Sequence, residues 1–456
     1  MTRNLPDHTL QQAKARTFAP SGPLRGRIIV PGDKSISHRA LILSALAVGK
    51  SRIEGLLEGE DVLATAAALR AMGADVQKKG DVWTVHGVGV GGLMQPETAL
   101  DMGNSGTSAR LLMGLVASHA ISATFIGDGS LSKRPMGRVI DPLSSMGADI
   151  TARQTADDKA CLPLTVRGIC PAVPMEYHLP VASAQVKSAI LLAGLNTPGT
   201  TRVIEPVPTR DHSETMLKAF GAELTVEIDK DGNRVISLTG EAELQPQRIK
   251  VPGDPSSAAF PVVAALLVPG SDIVVENVGI NPTRAGLFSV LQQMGGNIRF
   301  RKNRTVGGEP VADIHVRHSE LTGIDVPSGI APSMIDEFPI LFIAAAMAKG
   351  TTTTNGLHEL RVKESDRLSQ MAEGLSAIGA DVTEQEDGLI IRGSGGQPLS
   401  GSNKGQAIKT ALDHRIAMSF AIAGLATKDG TKIDDITPVE TSFPGFEKLI
   451  GGMGPS

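Results

Sequence analysis

Residues 69–76 read LRAMGADV, 143–150 LSSMGADI, 217–224 LKAFGAEL, 291–298 LQQMGGNI and 375–382 LSAIGADV. A degenerate sixth copy, IGGMG, begins at Ile450. Successive copies start 74, 74, 74, 84 and 75 residues apart, and self-similarity at a fixed period speaks to the fold. A period near 74 is too long for a solenoid repeat and predicts six copies of a small α/β unit. Helix-like residues precede the phrase, as in EDVLATAAALRAMG (60–73) and TRDHSETMLKAFG (209–221). Its glycine suits the position just past a helix, where a left-handed backbone ends the helix cheaply. Alternating runs joined by a turn follow, as in DVQKKGDVWTVHG (75–87), ELTVEIDKDGNRVISLTG (223–240) and DVTEQEDGLIIRG (381–393). Lys230-Asp231-Gly232 and Glu386-Asp387-Gly388 are hairpin-turn signals. With a strand and a helix at the start, each unit reads roughly βαβαββ.

A second repeat divides the six units. IIVPGDKSISHRALI (28–42) echoes IKVPGDPSSAAFPVV (249–263), and the two VPGD phrases lie 221 residues apart, close to three periods. Two similar three-unit domains follow. The first is expected to comprise residues 1–33 plus 253–456, and the second residues 34–252, with the chain crossing at each VPGD.

Composition narrows the function. The chain has 456 residues and a net charge of −4, is 41% hydrophobic and 20% charged, and holds 51 glycines but only 3% aromatics. It is therefore globular, with an aliphatic core. The near-neutral balance argues against nucleic acid as a partner. The longest strongly apolar stretch is read as 258–268, too short for a membrane span, and Met1 to Ser21 lacks a secretory h-region. Cys161 and Cys170 are too few for a disulfide framework and are expected as free thiols in the cytoplasm. Two nucleotide motifs fail. Gly49-Lys50-Ser51 has Ser44 where a P-loop needs glycine, and the glycines at 87, 89 and 92 run into Pro96 rather than a helix. No zinc spacing occurs.

What remains is a set of cations in Gly/Ser/Pro turns before apolar helices: Lys34, Ser35 and Arg39 in PGDKSISHR; Gly106 in GNSGTSAR; Arg134 in SKRP; Ser183, Ala184 and Gln185 in ASAQVK; and Arg210 in PTRDH. Ser35 and Arg39, at i and i+4, share a helix face, and Lys34 sits in a first turn that favours anions. The C-terminal half adds Asp336 and Glu337 before ILFIAAAMA, Lys363, Glu364 and Arg367 in RVKESDR, and Arg415 in DHR. With Lys363 and Arg367 at i and i+4, both could face one site. Loops of this kind in both halves point to one interdomain cleft for a substrate with several negative charges.

PGDKSISHR, GNSGTSAR, KRPMGR, SAQVKSA, SMIDEFP, LRVKESDR and LDHRIAMS, spread over positions 31 to 420, resemble the signature blocks of the 5-enolpyruvylshikimate-3-phosphate synthase family. SAQVKSA, TRDH and TSFP look more like its class II bacterial branch. The resemblance implies two domains, each an inside-out α/β barrel of three βαβαββ units, with the active site in the cleft between them. It implies transfer of the enolpyruvyl group of phosphoenolpyruvate to the 5-hydroxyl of shikimate 3-phosphate, with release of phosphate, by a monomer needing no metal or organic cofactor. By the same resemblance Lys34, Ser35, Arg39, Ser183, Ala184, Gln185, Arg210, Asp336 and Lys363 contact shikimate 3-phosphate. Lys34, Gly106, Arg134, Gln185, Arg367 and Arg415 contact phosphoenolpyruvate. Asp336 accepts the hydroxyl proton, and Glu364 or Lys363 handles the proton at the methylene. The chain departs from the class I pattern at Leu111, where proline is usual, and at Thr441, where lysine is usual. Gly106 implies sensitivity to glyphosate.

Two rivals are weighed against this. UDP-N-acetylglucosamine enolpyruvyl transferases resemble the same architecture but carry a loop cysteine. Here 126–135 (IGDGSLSKRP) has none, and Cys161 and Cys170 fall on the hairpin that follows. A non-catalytic protein binding phosphorylated metabolites would not need Asp336, Glu337 and Glu364 beside the cations.

Overall fold

The computed structural model describes residues 13–402 and 405–454, so the start of the expected N-terminal segment lies outside the described residues. The repeat phrase does what its chemistry predicts. Gly73, Gly147, Gly221, Gly295 and Gly379 each have φ between +90° and +106°, just past the helices Glu60–Ala71, Gly137–Ser145, His212–Ala219, Gly286–Gln293 and Arg367–Ala377. An L side chain is strained there. The sixth copy departs: Gly454 is not left-handed, and it follows the helix Phe446–Gly452 at the end of the described chain.

The units share one topology. Leu100–Asp101 pairs parallel with Ser122–Ile126, which pairs antiparallel with Ala160–Arg167, which closes a hairpin with Asp149–Gln154. Glu176–His178, Thr200–Glu205, Arg234–Thr239 and Leu224–Ile228 repeat the pattern. Two further four-stranded sheets have the same order but borrow their edge strand. Arg25–Ile29 pairs with Asp272–Gly279, and Arg248–Lys250 pairs with Val48–Glu54. Each borrowed strand precedes a VPGD crossing, so the chain lends a strand to one lobe and then passes to the other. The last two sheets are reduced, to three strands and to two.

The architecture is α/β with the helices inside. Lys34–Leu46, Gly106–Ala117 and Ala184–Leu195 centre one lobe; Pro255–Leu267, Phe338–Ala346 and His414–Ala426 centre the other. They are buried nearly all round, as in Ala184–Leu195, where every residue from Val186 to Leu195 is buried. A helix apolar on all sides must lie in the core. Helices approach closely where a side chain is missing: a Cβ on Gly114 would lie 2.2 Å from the Ala189 carbonyl oxygen. One apolar cluster runs from Ile36 to Val251, and a second joins Leu24 and Val30 to residues 258–453.

Two readings need correction. The helical run Ser328–Ala346, made of short 3-10 and α segments, exceeds the stretch at 258–268: its 19 residues are long and apolar enough to cross a membrane by length and composition, but 67% of its apolar window is buried within the protein. Apolar spacing could not show that the run continues through Asp336 and Glu337. Cys161 is in the strand Ala160–Arg167, whereas Cys170 lies beyond its end; both are free thiols.

Candidate active site

Six inner helices bring their N-terminal ends to one cleft of about 540 Å³ between the lobes. Asp33, Ser105, Ser183, Asp254 and Asp413 cap five of them through their side chains. Free N–H groups and aligned peptide dipoles at such ends favour anions. Every site residue expected from sequence lines this cleft except Arg39 and Glu337, both of them buried. Arg39 lies one layer behind, donating to the Ser35 carbonyl (2.9 Å), Ser213 Oγ (2.8 Å) and Ser188 Oγ (2.7 Å). Burial lowers its pKa to about 10, with Glu214 and Asp33 working the other way.

On the C-terminal side Asp336 is the hub. Its Oδ2 accepts from Arg210 Nη2 of the opposite lobe at 2.6 Å, and its Oδ1 lies 3.3 Å from Arg367 Nη1 and 3.7 Å from Lys363 Nζ. Burial alone would raise its pKa; Lys363, Arg210, Arg415 and Arg367 outweigh that and hold it well below the usual carboxylate range. Glu364 is likewise held far down, burial being outweighed by Arg367, Arg134, His414 and Lys363. Arg367 is almost wholly buried, bonding Asp413 (2.8 Å) and Glu364 (2.5 Å). Arg415 donates to the Asp336 carbonyl at 2.9 Å. Lys363 and Arg367 do meet at Asp336, but not through helical spacing: the helix starts only at Arg367, capped by Asp366, and Lys363 belongs to an irregular link.

On the other side Arg134 Nη2 donates to Asn104 Oδ1 at 2.6 Å, and its guanidinium reaches to 3.7 Å from Glu364 across the cleft. Gln185 bridges two segments, accepting from Arg110 Nη1 (2.9 Å) and donating to Thr107 Oγ1 (3.0 Å). Lys34 Nζ pairs with Asp61. Arg110, Arg138, Arg284, Asp61 and His414 also line the cleft; Arg110 and His414 fall in the motifs read from sequence, but none of the five was given a role there. Arg110, four residues into the helix that Gly106 begins, carried the clearest missed signal. Burial, reinforced by Arg134 and Arg138, lowers it to about 10. Thr441 does not line the cleft; its hydroxyl donates to the Pro438 carbonyl.

Behind the first lobe's helix ends, buried His38 Nδ1 lies 2.8 Å from Thr65 Oγ1, and Thr65 bonds Ser108, which bonds the cap Ser105. Burial lowers His38 to about 3 and His414 to about 4. Both are thus neutral when folded but protonate in the unfolded chain below its ordinary 6.5. The unfolded state then binds more protons, so stability is undiminished above pH 6.5 and falls as pH drops towards 4. With two such groups the slope is roughly 2–3 kcal/mol per pH unit. Below about pH 4.5 the depressed carboxylates Asp336 and Glu364 add to the loss. Urea titrations at pH 7, 6 and 5 are expected to show the first decline, which His38→Gln should make shallower; a flat midpoint over that range would contradict it.

The EPSP synthase (3-phosphoshikimate 1-carboxyvinyltransferase) family model matches residues 18–450. A 3-phosphoshikimate 1-carboxyvinyltransferase of Novosphingobium aromaticivorans is 68% identical over 96% of this chain and 98% of its own. One of Sphingopyxis alaskensis is 67% identical over 98% and 99%. The solved EPSP synthase of Acinetobacter baumannii aligns over 96% of this chain and 98% of its own, with a TM-score of 0.84 and 48% identity. Fold, cleft and full-length similarity agree: the chain belongs to the EPSP synthase (3-phosphoshikimate 1-carboxyvinyltransferase) family.

Proposed function

We propose that the protein transfers the enolpyruvyl group of phosphoenolpyruvate to the 5-hydroxyl of shikimate 3-phosphate and releases phosphate. The observation that carries this is the convergence of Lys34, Arg134, Arg210, Lys363, Arg367 and Arg415 on one cleft with Asp336 and Glu364 among them. Two mutually repulsive anions need fixed positive charge in a site with little water, and planar guanidinium groups grip phosphate and carboxylate in pairs of hydrogen bonds. Shikimate 3-phosphate lies against Ser35, Ser183, Ala184 and Arg210; phosphoenolpyruvate lies towards Gly106, Arg134, Arg367 and Arg415; Lys34 and Gln185 touch both.

The step balances on this chain's own groups. An acid delivers a proton to the methylene carbon of phosphoenolpyruvate, the 5-hydroxyl oxygen bonds to the adjacent carbon, and Asp336 takes the hydroxyl proton. The tetrahedral adduct then loses a methyl proton and phosphate, restoring the double bond. Asp336 is ionised before substrate arrives and so can act as base. Glu364 is ionised too, because Arg134 and Arg367 hold it so. When phosphoenolpyruvate neutralises those arginines, Glu364 moves back towards ordinary carboxylate behaviour and can carry the methylene proton, with Lys363 beside it. Inorganic phosphate assays with both substrates test the reading. Turnover is expected with shikimate 3-phosphate and not with UDP-N-acetylglucosamine. Binding of both substrates without phosphate release would favour a non-catalytic binding protein.

We further read the chain as class II, on SAQVKSA, TRDH and TSFP, and as a cytoplasmic monomer, on its resemblance to the family and on a cysteine count too low for a disulfide framework. Glyphosate is the expected inhibitor. A Cβ on Gly106 would lie 2.7 Å from Arg110 Nη1 and 3.4 Å from Arg134 Nη1, so Gly106→Ala crowds the phosphoenolpyruvate side. Overpacking costs about 1–3 kcal/mol, so its inhibition constant is expected to rise roughly 5- to 150-fold. An unchanged constant would refute the steric argument.

A further inference from the structure

The two crossings between lobes are tied together by a residue outside the reaction scheme above. At the crossings Asp33 N donates to the Pro252 carbonyl (2.8 Å) and Asp254 N donates to the Pro31 carbonyl (2.9 Å), a reciprocal pair that reflects the VPGD repeat. The Asp254 carboxylate caps its own helix through Ser256 N (2.8 Å) and also accepts from Lys34 N (3.2 Å), the first helical residue of the other lobe. Asp33 Oδ1 is used by its own cap, accepting from Ile36 N. That leaves two neighbouring buried carboxylates at one pivot.

Arg284 answers both. Its Nη2 lies 3.0 Å from Asp254 Oδ1 and 3.8 Å from Asp33 Oδ2, and it is 4% exposed. The same nitrogen donates to Ser256 Oγ at 2.8 Å. Ser256 in turn donates to Glu337 Oε1, the oxygen 3.4 Å from Arg415 Nη1, and Arg415 holds the Asp336 carbonyl. The turn that carries Arg284 also reaches the opposite lobe: Asn281 Nδ2 donates to Asp211 Oδ1 at 2.8 Å, next to Arg210. Each of the Arg284 contacts is made by the one nitrogen Nη2, so a lysine ammonium placed there would supply the same charge.

We infer that Arg284 is a positioning residue that pins the two crossings and, through Ser256 and Glu337, sets the placement of Arg415 and Asp336 when the lobes are together. Its kinetic consequence rests on the reaction proposed above; its effect on the crossings does not. The test uses the full chain with Arg284→Met and Arg284→Lys. Without substrate, hydrogen exchange at the Asp33 and Asp254 amides is expected to speed up tenfold or more in Arg284→Met, with amides of the helix Ala184–Leu195 unchanged, and to return to within about threefold of the parent in Arg284→Lys. With substrates, Arg284→Met is expected to lose tenfold or more in kcat while KM for shikimate 3-phosphate moves less than threefold. Parent-like exchange at both amides overturns the pin, and parent-like kcat overturns the relay. If Arg284→Met does not fold, Ser256→Ala decides the relay: kcat lowered with normal exchange at Asp33 supports it, and kcat unchanged overturns it. Failure of the parent itself to release phosphate would refute the reaction, while the exchange data would still decide the pin.

Discussion

Asp336→Asn is expected to slow phosphate release by roughly 10²–10⁴-fold, the range for loss of a positioned general base, while substrate binding persists. The substitution keeps the shape and one acceptor oxygen. It removes the negative charge that Arg210, Arg367 and Lys363 share. The cleft becomes more positive, so its attraction for two anions is held or increased. The expected signature is therefore a collapse of kcat with KM for both substrates unchanged or lowered, a pattern that marks an interaction made in the transition state. Steady-state phosphate assays check this. A variant that keeps kcat within a few-fold, or that loses affinity and kcat in parallel, would remove Asp336 from the chemistry.

Lys187→Met is expected to cost stability rather than chemistry. Lys187 is fully buried, with Nζ 3.0 Å from Glu205 and 2.8 Å from Glu214, which are themselves buried. Removing the cation leaves two carboxylates with Arg234, 3.5 and 3.4 Å away, as their remaining cationic partner. Breaking one partner of a buried ion pair costs roughly 3–5 kcal/mol, which lowers a urea midpoint by about 1–2 M for a lobe of this size. Adding Glu214→Gln should recover part of the loss by removing one uncompensated charge. Because Glu205 also accepts from Thr209 Oγ1, beside Arg210, the single variant is expected to raise KM for shikimate 3-phosphate as well. An unchanged midpoint would show that the buried cluster contributes nothing net.

Local chemistry made much of the fold legible. The five glycines that end helices and the aspartates and serines that cap the inner helices are dictated within a few residues of sequence, and the repeat multiplies that signal. What stayed hidden is what only the assembled lobes decide. The VPGD echo marked the crossings but not that the strand before each one closes a sheet edge, Arg25–Ile29 beside Asp272–Gly279 and Arg248–Lys250 beside Val48–Glu54. Lys363 and Arg367 do share a site, yet through an irregular link that helical spacing cannot describe. Arg39 carries the family's pattern but lies behind Ser35, because Ser188 and Ser213 from distant segments hold it there. Asp61 and Arg284 were missed for the same reason: a charge gains its partner only when segments tens or hundreds of residues apart meet.

The account depends most on one cationic cleft closing around two anions. A crystal structure with shikimate 3-phosphate and a phosphoenolpyruvate analogue tests it directly. Both ligands are expected side by side between the lobes, with Lys34 reaching both, Asp336 within hydrogen-bond distance of the 5-hydroxyl, and Arg134, Arg367 and Arg415 on the analogue. Ligands bound on separate outer surfaces, with those four cations turned to bulk solvent, would contradict it.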